Sequence, residues 1–260
     1  MFKYLKILVA AVIFGVFGCD KIPENERLSG VNLDDLKKVA VLLDFTGWSC
    51  PNCPQAAQVA YRLQGFFPQN LIVVSLHPYG SHWTEPRDGA LDLRSNAATA
   101  YFDHFGKVDI FPTGTVDFAK YNDKLLIDRD LWAAATAERV VLETGVNLQI
   151  TCSLDNRKVT ISPKITNKKN ENLSLILWLT ESKVFGKQIN NGVLEENYEH
   201  NHVLRDAING VWGESVSENY SKEYLINENW NIDNCSVVGV IINAEKEIVA
   251  ACEIRVKEEL

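Results

Sequence analysis

Apolar and polar positions follow two different rhythms along this chain. From Val39 to about Thr144 continuous apolar runs alternate with helical stripes. VAVLLDF (39–45) and LIVVSL (71–76) are unbroken runs rich in β-branched residues, as expected for strands buried on both faces. Between them, Ala56, Val59, Ala60, Leu63 and Phe67 recur at helical spacing and predict a helix over Gln55–Phe67. Further helices are expected over Ala90–Phe105 and Asp130–Leu142, with a strand at TGTVDFA (113–119) between them. Strands alternating with helices predict an α/β layer arrangement.

After Gly145 the rhythm changes. VNLQITCSL, KVTISPKIT, LSLILWLT, CSVVGVIIN and EIVAACEIRV read as strands separated by the polar turns DNRK, NKKNEN and NAEKE. That spacing predicts an antiparallel, immunoglobulin-like sandwich of about a hundred residues. Glu181–Ser221 is long and poorly periodic, so an elaborated loop or short helices are expected there.

The first residues add a compartment. Lys3 and Lys6 make a positive n-region, Leu5–Phe17 form a short apolar run, and Gly18 and Cys19 follow. The run is too short and too abruptly ended for a spanning helix, and reads as an export signal. The cysteine directly after Val16-Phe17-Gly18 resembles a bacterial lipobox, which implies lipidation at Cys19 and a membrane anchor. The polar DKIPENERLSG stretch then reads as a tether. The expected organisation is a signal at 1–18, a tether at 19–36, an α/β domain at 37–145 and a β-sandwich at 146–260. A formal net charge of −8 without any basic tract argues against nucleic acid or anionic lipid as the main partner.

Two of the six cysteines, Cys50 and Cys53, stand three apart in DFTGWSCPNCP. Such a pair can clip a metal, staple the fold or exchange disulfides. A single C-x-x-C knuckle with no second one nearby argues against zinc, and no metal or cofactor is expected. Export favours disulfide chemistry or a static staple. The order strand, short turn, cysteine pair, helix places Cys50 at a helix start, with Pro51 suited to the first turn. Unpaired N–H groups there favour a thiolate. Cys50 is therefore expected to be the more accessible, attacking sulfur, and Cys53 the resolving one.

Strand, turn, C-x-x-C and helix, followed by a proline before a later strand, resemble the thioredoxin fold. That family carries an acidic residue six positions before its first cysteine, where Asp44 stands here, and a cis-proline in a stretch matched by Ile110-Phe111-Pro112-Thr113. The resemblance implies that Asp44 is a buried proton acceptor for Cys53 and that Pro112 orients an extended substrate. Ser49 rather than Trp precedes Cys50, Pro-Asn separates the cysteines, and about sixty residues separate Cys53 from Pro112, an excess assigned to HPYGSHWTEPRDG.

Over nearly its whole length the chain also resembles the 28-kDa outer-membrane lipoproteins (Omp) of Gram-negative anaerobes, through LLDFTGWSCPNCPQA, FPTG and HNHVLRDAINGVWGE. This implies an outer-membrane location and no established reaction.

Elsewhere, His200 and His202 have a spacing that metals accept, but they read as loop anchors. Of His77, His82 and His104, only His77 is placed to approach the cysteine pair, and it is expected to be a solvated loop histidine rather than a redox participant. Trp178, Trp212 and Trp230 are expected in the core of the β half, and Cys152 and Cys252 should face inward. Cys235 and Cys252 flank a hairpin and are candidates to pair, with the connectivity open. Two functions follow. One is a lipid-anchored envelope thiol–disulfide oxidoreductase acting on the thiols and disulfides of envelope proteins through Cys50, Cys53, Asp44 and Pro112. The other is a surface binding or adhesion lipoprotein in which the Cys50–Cys53 pair is structural.

Overall fold

The computed structural model describes residues 37–167, 172–215 and 220–257. The expected signal, Cys19 and the tether lie outside them. No described helix is long and apolar enough to cross a membrane.

The first half supplies strands β1 (Ala40–Phe45), β2 (Leu71–Leu76) and β3 (Thr113–Val116), and helices α1 (Cys53–Phe66), α2 (Asn96–His104) and α3 (Trp132–Val140). β1 pairs parallel with β2 and antiparallel with β3. Every residue of β1 is buried, because α1 and α3 cover one face of these strands and α2 covers the other. That double cover explains why VAVLLDF shows no alternation. The second expected helix is shorter than its apolar pattern suggested. It begins only at Asn96, where the Ser95 side chain caps it by accepting the Ala98 N–H at 3.2 Å.

The second half is all β: β4 (Val146–Asp155), β5 (Lys158–Asn167), β6 (Ser174–Glu181), β7 (Val184–Asn190), β8 (Val193–His200), β9 (Val203–Ala207), β10 (Glu214–Ser215), β11 (Lys222–Leu225), β12 (Cys235–Ile242) and β13 (Ile248–Arg255). Glu181–Ser221, expected as loop or short helices, therefore contains strands. Its hairpin turns at Asn191-Gly192, both at positive φ (49° and 82°), the residue pair that a tight hairpin of this kind favours.

The main sheet runs β13-β12-β6-β9-β2-β1-β3, with β10 beside β6. It is continuous across the two halves: β9 pairs antiparallel with β6 and meets β2 in parallel at Ser75–Val203. Leu175, Leu177, Leu179, Val237 and Ile241 on one face of this sheet pack against Leu148, Ile150, Val159 and Ile161 of the β11-β5-β4 sheet. Ile176, Trp178, Val238 and Val240 on the other face share a core with Tyr101 and Phe102 of α2 and with Phe105 just after it. The molecule is thus a mixed α/β structure with an all-β sheet region, consistent with two domains.

A buried charge cluster crosses the same junction. Asp117, just after β3, accepts from Lys38 Nζ at 2.7 Å, Arg139 Nε at 2.9 Å and the Val41 N–H at 2.8 Å. Arg139 also pairs with Glu247 at 3.3 Å, and the Asp117 carbonyl accepts the Ile248 N–H at 2.8 Å. Burial lowers the Lys38 pKa despite its carboxylate partner.

The cysteines of the β half divide as follows. Cys235 is buried, whereas Cys152 and Cys252 are half-buried on inward faces. Cys252 pairs with Gly239, four residues along β12 from Cys235. At about 3.4 Å per residue that offset is too long for a disulfide, so Cys235 and Cys252 do not pair.

Candidate functional site

β1 ends at Phe45, and the chain turns through Thr46–Asn52 into α1. Cys50 and Cys53 form a disulfide in this turn, with Cα atoms 5.5 Å apart. α1 begins at Cys53, two residues before the helical stripe but three after Cys50, which the strand, turn and cysteine order placed at the helix start. Pro54 is the cause. A helix starting at Cys50 would need an N–H at position 54 to bond the Cys50 carbonyl, and proline has none. That carbonyl instead accepts the Cys53 N–H at 3.4 Å and, from a distant strand, the Gln188 side-chain amide at 3.1 Å.

The structure corrects the expected accessibility. Cys50 is 0% exposed and Cys53 2% exposed, so Cys50 is not the open sulfur that a helix-start position implies. Two segments cover it. The 77–95 segment presses on one side, where the Trp83 carbonyl accepts the Ser49 N–H at 3.1 Å and the Ser49 hydroxyl at 3.0 Å. A Cβ at Gly47 would lie 2.5 Å from that same carbonyl oxygen, which accounts for glycine there. The β7–β8 hairpin lies over the other side: the Ile189 N–H donates to the Trp48 carbonyl at 2.8 Å, and the Asn191 N–H to the Pro51 carbonyl at 3.0 Å.

Asp44, in β1 between Ser75 of β2 and Gly114 of β3, is 2% exposed. Its Oδ1 has no partner among the described residues, and burial raises its pKa to about 8. Phe111 lies in the same core cluster as both cysteines, and the Phe111–Pro112 peptide bond is cis.

Asp44 and Cys53 line one cavity of about 220 Å³. His77, Tyr198, His200 and His202 line it too. This convergence escaped sequence reasoning, which placed only His77 near the cysteines. His200 ends β8 and His202 sits at positive φ (57°) in the turn to β9, while His77 follows β2, the strand that β9 meets. The imidazoles of His77 and His200 are 6.2 Å apart, and neither ring nitrogen of His77 has a partner among the described residues. Burial keeps all three neutral: it lowers the pKa values of His200 and His202 to about 4 and that of His77 well below its ordinary value. Among the described residues no three His, Cys, Asp or Glu side chains are grouped to hold a metal ion.

The structure thus defines an α/β protein with a buried disulfide beside a protonatable carboxyl. Residues 98–259 match the family model "Outer membrane protein Omp28", and the chain belongs to that family. Membership implies an outer-membrane or cell-envelope location. The matched region contains Pro112 but not Asp44 or the cysteine pair. Among solved structures, HBP35 of Porphyromonas gingivalis is similar at a TM-score of 0.64 and 16% identity, covering 86% of this chain and 79% of that one. Protein AGR_C_4864 from Agrobacterium tumefaciens is similar at 0.53 and 15% identity, covering 86% and 97%. No curated protein matches the chain.

Proposed function

We propose that this chain is an envelope thiol–disulfide oxidoreductase: a thioredoxin-like domain over 37–145, followed by an immunoglobulin-like domain over 146–260. Cys19 carries a lipid anchor after loss of residues 1–18, residues 19–36 act as the tether, and the substrates are thiols and disulfides of envelope proteins. The observation that carries the reading is Asp44, buried and without a cation partner among the described residues, on the same cavity as Cys53. A static staple needs no such carboxyl, and burying one is costly. A base with a pKa of about 8 is well matched to a thiol of ordinary pKa about 8.5. The order β2-β1-β3, with α1 after the cysteines and Pro112 before β3, supports the thioredoxin-like assignment.

In the reduced protein the Cys50 thiolate attacks one sulfur of a substrate disulfide, forming a mixed disulfide and releasing the other sulfur as a thiolate. Cys53 then passes its proton to Asp44 and attacks the Cys50 sulfur. The Cys50–Cys53 bond forms, and the second substrate thiolate leaves. Two electrons pass from the pair to the substrate; from the disulfide form the same steps run in reverse. Cys53→Ser should accumulate mixed disulfides with envelope proteins through Cys50, whereas Cys50→Ser should not. A Cys53→Ser protein that traps nothing would leave the pair structural and move the adhesion reading into first place.

A further inference from the structure

We propose that the β7–β8 hairpin is an internal stand-in for substrate: it occupies the strand-binding edge of the cysteine turn and must swing away before an extended polypeptide can reach Cys50. This rests on the exchange reading above and adds the substrate class and a mode of control.

The hairpin forms a two-stranded sheet of its own, outside the main sheet. Its grip on the cysteine turn resembles that of a bound peptide. Ile189, in β7, gives its N–H to the Trp48 carbonyl, and Asn191, the first residue of the turn that follows, gives its N–H to the Pro51 carbonyl. Such main-chain pairing is how a sheet edge takes up an added strand. Between Gly186 and Gln188 the hairpin register shifts, and a shift of this kind re-aims side chains. Gln188, 3% exposed, shares its amide between the carbonyls of Gly47 (3.3 Å) and Cys50 (3.1 Å). It fills the donor position that Pro54 leaves empty.

The remaining ties are polar and near the surface. Gln55 Nε2 bonds the side chains of Asn190 at 3.0 Å and Asn191 at 2.6 Å, and Lys187 bonds the Asp88 carbonyl. Phe185 (51% exposed), Val193 (67%) and Leu194 (45%) of the same hairpin face solvent instead of the core. Val184 and Ile189 are half-buried and His200 is buried, but a segment with so much of its apolar surface outside opens at lower free energy than the main sheet. An unfolded or extended chain carrying a cysteine can give an N–H to the Trp48 carbonyl in place of Ile189 once the hairpin leaves.

The test starts with the full chain chemically reduced, so that it does not depend on exchange activity. Alkylation of Cys50 is compared between the native protein, Gln188→Ala and Ile189→Pro, which lacks the N–H given to Trp48. Both variants should react at least about tenfold faster; equal rates in correctly folded variants would overturn the proposal. Should the variants misfold, hydrogen exchange of the native protein decides. The Ile189 and Asn191 amides should exchange at least about tenfold faster than those of Leu177 and Trp178 in β6, and equal protection would sink the idea. The reduced native protein is then offered glutathione disulfide or a cysteine decapeptide linked to glutathione. The decapeptide should react faster, and equal rates would overturn the strand-for-strand replacement. If neither reacts while Cys50 alkylation speeds up in the variants, the exchange reading fails and the cover stands.

Discussion

Asp44 concentrates the chemistry of the site in one side chain. Its pKa, raised by burial to about 8, means that the folded chain holds a proton that the unfolded chain releases above about pH 4. Asp44 therefore costs stability progressively between those values, on the order of 1.4 kcal/mol per pH unit, and the loss is complete above the folded pKa. Asp44→Asn should stabilise the protein by a few kcal/mol at pH 8 and change little near pH 4. Urea midpoints at the two pH values measure this. The histidines act in the opposite sense. His200 and His202, held down to about 4, give stability that is present above about pH 6.5 and lost as pH falls toward 4. In a mixed-disulfide assay Asp44→Asn should slow resolution by Cys53 while leaving attack by Cys50 intact. Asp44, Cys53 and Pro112 could be singled out in the sequence because their spacing along the chain is itself the signal. The burial of Cys50 could not, since the hairpin over it comes from more than a hundred residues away and leaves no trace near the cysteines.

At the scale of elements, legibility followed packing. β6 was clear because both its faces are covered, which keeps seven of its eight residues buried and makes Leu175–Leu179 an unbroken apolar run. β7 and β8 were opaque because they form a separate two-stranded sheet with few buried positions, so neither period develops. The one readable signal was the Asn191-Gly192 turn. The cysteine turn depends on close approach more than on apolar burial. Gly47→Ala would drive a Cβ into the Trp83 backbone and push the 77–95 segment outward. A cost of about 1–3 kcal/mol is expected, measured as a lower denaturation midpoint, together with faster alkylation of reduced Cys50.

Across the whole molecule, the sequence divides at Gly145 but the main sheet does not. β9 joins the strands of the β half to β2, and Asp117 ties Lys38 and Arg139 to the turn before β13. A single cooperative unfolding transition is expected by calorimetry, rather than one for each half. Asp117→Ala leaves Lys38, 6% exposed, without its carboxylate; breaking a buried pair in this way should cost about 3–5 kcal/mol and lower that single transition. The junction also brings the hairpin of one half onto the cysteines of the other, so the β region controls access to the disulfide as well as adding mass. The account turns on whether that disulfide exchanges. Equilibrating the intact protein with glutathione buffers of graded potential tests this most directly. A reduction potential between about −270 and −120 mV, with Cys50 trapped by alkylation on reduction, is the predicted result. A potential below about −300 mV, or a bond that resists reduction until the chain unfolds, would contradict the account and leave Cys50–Cys53 a structural staple.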